Sequence, residues 1–161
     1  MSTRPRNNYI EFGSYGFQFQ ATEYCSAYDN VIYGQNHRNI YLANSANYNQ
    51  IYNNKLYEGL SSGIVVGYGS CHNHIIDNEI ISMNLEGWAT QASGATGEAG
   101  INVSGASNYN IIKGNNVDAP FNYGVQLALN MIGNEVSRNT LSGYCTAAII
   151  LESQWQYPRP C

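Results

Sequence analysis

The amino-acid sequence predicts an all-β fold in which short strands are stacked coil upon coil, and three observations predict it. A strand-like segment recurs five times, beginning at residues 39, 63, 100, 124 and 148. Asparagine stands ten and fifteen residues after each of the first four starts. Apolar residues alternate along these segments, and no helical period of about 3.6 residues is visible. A repeat of 24 residues is typical of a solenoid, in which each repeat buries the apolar face of its neighbours.

The opening strand of each repeat has apolar residues at its second and fourth positions. The second residues are Ile40, Ile64, Ile101, Val125 and Ile149, and the fourth are Leu42, Val66, Val103, Leu127 and Leu151. Because successive side chains of a strand point to opposite faces, we expect both positions to face the interior. The segment 16–19 continues the pattern one coil earlier.

The asparagines form two further columns, which we place at the bends between strands. Their members are Asn49, Asn73, Asn110 and Asn134 in the first column and Asn54, Asn78, Asn115 and Asn139 in the second. Asparagine tolerates left-handed backbone angles and bonds its own backbone, which suits it to a bend. Identical asparagines one coil apart can also form a hydrogen-bonded ladder.

These repeats resemble the right-handed parallel β-helix repeats of the pectate lyase-like superfamily, as in polysaccharide lyases and phage tailspikes. The resemblance covers residues 8–151 and implies one domain over 1–161, a single-stranded right-handed parallel β-helix of about six coils. The spacing of 37 instead of 24 places an insertion within 83–99, and a tail follows at 152–161. A leucine-rich repeat fits less well, because it needs leucine where the first asparagine column stands. A left-handed hexapeptide helix would show a six-residue period.

Composition excludes several classes of partner. Only seven residues are Lys or Arg and the net charge is −4, so we expect no basic patch and no nucleic acid. No apolar run is long enough for membrane insertion, and no signal peptide is visible at the start. The compartment stays open, and an extracellular or virion-associated protein is compatible with the sequence. The four cysteines lack metal-ligand spacing, so we expect reduced thiols, no metal and no cofactor.

The outward positions of the opening strands predict a site for a polysaccharide. Amides, hydroxyls and aromatic rings suit sugar hydroxyls and sugar rings. Together with the resemblance, this composition makes a polysaccharide the expected partner. The few cations favour a neutral glycan. The predicted glycan-binding residues are Gln18, Tyr41, Trp88, Asn102 and Gln126.

The carboxylates in the sequence do not decide whether the protein is an enzyme. The resemblance implies a lyase, epimerase or hydrolase scaffold, but the opening strands carry a single carboxylate, Glu152. Glu86 and Glu98 in the insertion complete the set of weak catalytic candidates. Arg38 is the only cation beside this face, with Tyr41 as a conceivable base.

A non-catalytic structural or assembly module of a fibre, virion or surface filament is the alternative. Neither end of the predicted stack has a capping helix, and unpaired strand edges favour association. We therefore expect self-association or a neighbouring domain at the ends. The sugar and the oligomeric state are not fixed by the sequence.

Overall fold

A computed structural model describes residues 2–59, 61–81, 99–118, 123–128, 131–143 and 147–151, and its regular structure there consists of short strands. In chain order they are β1 (Tyr9–Glu11), β2 (Tyr15–Gln20), β3 (Ser26–Tyr28), β4 (Val31–Tyr33), β5 (Arg38–Ala43), β6 (Gln50–Tyr52), β7 (Lys55–Tyr57), β8 (Ile64–Val66), β9 (His74–Ile76), β10 (Glu79–Ile81), β11 (Ala99–Val103), β12 (Ile111–Lys113), β13 (Asn116–Asp118), β14 (Tyr123–Leu127), β15 (Glu135–Ser137), β16 (Thr140–Ser142) and β17 (Ala147–Leu151).

The strands form three parallel sheets, and each coil gives one strand to each sheet in turn. Sheet I has the order β2-β5-β8-β11-β14-β17, sheet II β3-β6-β9-β12-β15, and sheet III β1-β4-β7-β10-β13-β16. Residues 3–6 extend sheet II, because the backbone N–H groups of Ser26 and Tyr28 donate to the carbonyls of Thr3 and Pro5. The prediction of a parallel β-helix with about six coils and 24-residue repeats is confirmed.

The core lies between the three sheets and is built from columns of aliphatic side chains in register. In sheet I, Ile40, Ile64 and Ile101 are paired neighbours and fully buried. Sheets II and III add fully buried columns: Ala27, Ile51, Ile75 and Ile112 in sheet II, and Ile32, Leu56, Ile80 and Val117 in sheet III. Each buried isoleucine or leucine contributes about 1.5–3 kcal/mol. The predicted inward positions are therefore correct along the middle coils.

Two asparagine ladders run along the bends on either side of sheet II. In the first, Oδ1 of Asn73 accepts bonds from the backbone N–H and Nδ2 of Asn49, at 2.9 and 3.1 Å. Nδ2 of Asn73 also donates to the carbonyl of Ala46 at 2.8 Å. The second ladder repeats this geometry from Asn54 to Asn78, at 3.0 Å for both bonds. Because each buried amide is satisfied by the coils above and below it, the ladders fix the bends.

The insertion does not disturb the ladders. Asn73 and Asn110 lie 37 residues apart, yet the backbone N–H of Asn73 donates to Oδ1 of Asn110 at 2.9 Å. The same bond between Asn49 and Asn73, which are 24 residues apart, is also 2.9 Å. The register of sheet II is therefore the same on both sides of the insertion.

Candidate functional site

Four aromatic side chains form an exposed row beside sheet II. Three of them stand directly before the ladder members Asn49, Asn73 and Asn110, and the fourth stands before Cys25, which occupies the same position one coil earlier. All four have a left-handed backbone, with φ of 56–58°. Such angles are uncommon for bulky residues. The repeated bend gives all four the same orientation, and they stack with centroid distances of 5.3, 4.9 and 5.1 Å and interplanar angles of 4–9°. The members of this ring row are Tyr24, Tyr48, His72 and Tyr109.

Two further tyrosine rings stack on each other at the opposite end of the same strands. Tyr28 of β3 and Tyr52 of β6 are paired in register and stack at 4.7 Å with an interplanar angle of 4°. Between this pair and the ring row lies an open groove of about 280 Å³. We call it the tyrosine groove, and its lining consists of Arg4, Tyr24, Cys25, Ser26, Tyr28, Tyr48, Gln50 and Tyr52.

The tyrosine groove offers hydrogen-bonding groups rather than bare ring faces. Within the ring row each stacked face is covered by the next ring, so the edges and hydroxyls are what remains for a ligand. Ser26 adds a hydroxyl and the exposed Gln50 an amide. Burial and the neighbouring Tyr28 and Asp29 raise the pKa of Tyr52, which keeps its hydroxyl protonated and able to donate at neutral pH.

The groups of the tyrosine groove also repeat along the coil axis. Paired residues Ser26 and Gln50, and likewise Tyr28 and Tyr52, lie one coil apart in parallel register. Neighbouring strands are about 4.8 Å apart, so Tyr28 and Tyr52 place two hydroxyls at that interval, and the next coil continues the two rows with His74 and Ile76. Such a surface suits an extended ligand with a short repeat, lying parallel to the axis.

The outer face of sheet I, where glycan contacts were predicted, is closed over much of its length. Gln18 is exposed, but Tyr41, Asn102 and Gln126 are buried, the last with no exposed area. Nδ2 of Asn102 donates to Oε1 of Gln126 at 3.0 Å. The glycan-binding role of these residues stays a prediction. Trp88 lies outside the described residues.

Tyr41 sits in a cluster at the first two coils of this face. Its ring stacks on Tyr15 at 5.8 Å, and the Arg38 guanidinium carbon lies 4.6 Å from its centroid. Tyr15 also stacks on His37 at 5.7 Å. Burial raises the pKa of Tyr41, and the charge of Arg38 only partly opposes this. The phenolate is therefore scarce at neutral pH, which does not favour Tyr41 as a general base.

The three carboxylates predicted as weak catalytic candidates, Glu86, Glu98 and Glu152, lie outside the described residues. Directly after β7, Glu58 accepts a hydrogen bond from the Tyr33 hydroxyl, and on sheet III Glu79 contacts Lys55 at 3.8 Å. In the described parts of the chain no three His, Cys, Asp or Glu side chains are grouped closely enough to hold a metal ion. No helix in those parts has the length and apolarity to cross a membrane.

The ring row was not predicted from the sequence, although a signal for it exists. Its aromatic residues recur at spacings of 24, 24 and 37, and the last three stand directly before the bend asparagines Asn49, Asn73 and Asn110. A residue directly before a bend asparagine takes the left-handed position, from which its side chain leaves the coil. Aromatic residues recurring at that position therefore indicate an external row of stacked rings.

Comparison with known proteins gives a fold likeness only. No family model matches the chain, and no curated protein matches its sequence. Among solved structures it is similar to the A-module of the Azotobacter vinelandii mannuronan C-5 epimerase AlgE4, with 14% identity, a TM-score of 0.47 and 91% of this chain covered. For the A-module of AlgE6 from the same organism the values are 15%, 0.48 and 94%. The match spans 56% of each of those chains. At this level the likeness assigns no role to any residue.

Proposed function

We propose that this chain is a polysaccharide-recognising β-helix that binds a glycan in the tyrosine groove, with the glycan running parallel to the coil axis. The observation that carries the proposal is that tyrosine hydroxyls recur on two successive coils, Tyr24 with Tyr48 and Tyr28 with Tyr52. A polymer with a short repeat meets equivalent groups on successive coils, whereas a small ligand uses only one of them.

The chemistry of the lining supports a sugar over other polymers. Tyrosine hydroxyls, Ser26 and Gln50 can donate to and accept from sugar hydroxyls, and ring edges give apolar contact. Arg4 is the one cation among the lining residues, and no carboxylate is among them. This balance favours a neutral glycan, and a basic polymer has no counter-charge in the groove.

We propose glycan recognition and no catalytic step. A lyase, epimerase or hydrolase needs a positioned acid and base, and Tyr41 with its raised pKa is a poor base at neutral pH. Gln18 together with Trp88 remains a second predicted contact region on the same scaffold.

A glycan array comparing wild-type protein with two tyrosine variants tests the proposal. Tyr52→Ala removes a wall of the groove, and Tyr57→Ala is its matched control. Both are half-buried third residues of neighbouring strands, but Tyr57 lies on sheet III. We expect wild type and Tyr57→Ala to bind the same glycans and Tyr52→Ala to bind them at least about tenfold more weakly. No binding to any glycan, or equal binding by both variants, would contradict the proposal.

A further inference from the structure

The outer face of sheet II becomes less polar beyond the tyrosine groove. In parallel register, His74 follows Gln50 of the groove floor by one coil. Ile76 likewise follows Tyr52 of the groove wall. One coil further, Ile111 is paired with His74. Amide and phenol groups are therefore replaced by an imidazole and two isoleucines, and we call Ile76 and Ile111 the isoleucine patch.

Both members of the isoleucine patch point away from the core. Their strands, β9 and β12, have a fully buried isoleucine in the middle position and half-buried residues on either side of it. Because side chains alternate along a strand, the first and third residues face outward. Single apolar residues on a surface need no explanation. This patch differs because it has two members on neighbouring strands and continues the columns that line the groove.

The ring row borders the isoleucine patch as it borders the tyrosine groove. His72 stands two residues before His74 on the same coil. Tyr109 has the same relation to Ile111, and its ring stacks on His72 at 5.1 Å. His72 in turn stacks on Tyr48 of the groove at 4.9 Å. A glycan that lies along the row in the groove therefore reaches the isoleucine patch without a change of direction.

An acetyl group fits the combination of a hydrogen-bond donor and an apolar surface. It has one carbonyl oxygen that accepts and one methyl group, and a neutral imidazole has one N–H that donates. His74 and Ile111 lie one coil, about 4.8 Å, apart. One acetyl group can therefore bond to His74 through its oxygen and contact Ile111 through its methyl group. A sugar hydroxyl against Ile111 would lose its bonds to water without a replacement.

The charged residues beside the isoleucine patch favour a neutral substituent over an acidic one. Lys113 is the neighbour of Ile76 in the next coil. Glu135 is the neighbour of Ile111 in the coil after that. A carboxylate on the ligand would meet an anion as well as a cation, whereas the Lys113 ammonium can donate to an acetyl oxygen without a charge conflict.

We propose that the isoleucine patch and His74 bind an acetyl group carried by the glycan, so that the protein selects acetylated over unacetylated polysaccharides. This inference rests on the proposed glycan site, which it extends by two coils. The acetyl methyl group lies against Ile76 and Ile111, and its carbonyl oxygen accepts a hydrogen bond from His74. N-acetyl and O-acetyl groups share this chemistry, and the experiment separates them.

Binding of matched glycans to the wild-type protein tests the inference. Chito-oligosaccharides and cello-oligosaccharides have the same linkage and differ in the N-acetyl group. Acetylated xylan and mannan oligosaccharides differ from their alkali-treated forms in the O-acetyl groups. We expect the acetylated member to bind at least about tenfold more tightly in one of these two comparisons. Equal binding within every pair, or binding to none of these probes, would overturn the inference. Glycan recognition itself is contradicted only if no glycan of a broad array binds.

Variants locate the preference for acetyl groups on the isoleucine patch. Ile76→Asn should reduce the preference to about twofold or less and leave binding of the unacetylated member unchanged. Ile81→Asn is the matched control and should keep the preference, because both are half-buried third residues of neighbouring strands but Ile81 lies on sheet III. Tyr52→Ala should instead weaken both members of a pair equally.

A further variant keeps the test decisive if Ile76→Asn fails to fold. His74→Phe retains a ring and removes the N–H donor, so it should lower the affinity for the acetylated member alone. A preference that persists in His74→Phe and in Ile111→Asn would overturn the inference.

Discussion

The outer faces of sheets I and II are built from the same coils, yet they differ in what they offer to a partner. On sheet I, Val65 and Gln126 are buried although their register places them outside the core. On sheet II, the equivalent outward Ser26 and Gln50 line an open groove between stacked rings. The alternation along a strand therefore identifies the side chains that point away from the core, but it does not identify which of those are exposed to solvent.

The difference arises at the bends. Sheet II is bordered on both sides by asparagine ladders, and the left-handed residue before one ladder sends a ring outward on each of four coils. The outer face of sheet I is instead covered from Tyr41 to Gln126, and its amides pair with each other. Four predictions, from the largest expected effect to the smallest, test this contrast.

A carboxylate introduced on the outer face of sheet I and of sheet II should give the largest difference in stability between the two faces. Val65→Asp buries a carboxylate beside Tyr41 and Ala43, and we expect a loss of about 3–5 kcal/mol in the free energy of unfolding. Gln50→Asp places the same carboxylate on the exposed floor of the tyrosine groove and should change it by no more than about 0.5 kcal/mol. Urea denaturation measures both, and equal losses would contradict the contrast.

Removing one side-chain amide from the first asparagine ladder should destabilise the bend beside sheet II. Asn73→Ala removes the acceptor of two bonds from Asn49 and the donor to Ala46, so we expect a loss of about 2–4 kcal/mol. Asn116→Ala, in an exposed position of β13, is the control and should cost no more than about 0.5 kcal/mol. Denaturation curves in which the two variants are equally stable would show that the ladder does not hold the bend.

Trimming the ring row should weaken glycan binding. Tyr48→Ala leaves a gap between Tyr24 and His72, and we expect about tenfold weaker binding of a glycan identified on the array. Tyr48→Phe keeps the stack and removes only the hydroxyl, so its loss should be smaller. Tyr68→Ala is the control, because Tyr68 is also exposed and left-handed but lies outside the groove. Equal weakening by Tyr68→Ala and Tyr48→Ala in calorimetry would contradict a role of the ring row in glycan binding.

Alkaline pH should produce the smallest effect. Burial raises the pKa of both Tyr41 and Tyr52. A raised pKa in the folded chain means that the unfolded chain loses its proton first, so stability is present below about pH 10 and falls as the pH rises through the folded value. Tyr41→Phe should reduce this fall more than Tyr52→Phe, since Tyr41 is the more buried. Unfolding measured against pH checks the order, and the reverse order would contradict it.

The sequence was sufficient for the fold but not for the exposure of side chains on the outer faces, for a physical reason. Ile101 follows from local alternation, because the core excludes water at that position in the middle coils. Asn102, the next residue, was predicted to meet a glycan, yet it is buried and bonded to Gln126. Whether Asn102 is exposed depends on what covers the outer face of the sheet, and the alternation along the strand carries no information about that. Tyr48 was overlooked because the outward position of its ring comes from the backbone angle at a bend.

Two exposed glutamines give the most direct test of the tyrosine groove as the glycan site. Gln50 lies on the outer face of sheet II and Gln18 on the outer face of sheet I, and the side-chain amides of both can be followed by nuclear magnetic resonance. During titration with an oligosaccharide from the array, we expect the Gln50 amide resonance to shift and the Gln18 amide resonance to stay unchanged. A shift of Gln18 with Gln50 unchanged would contradict it and move the glycan to sheet I.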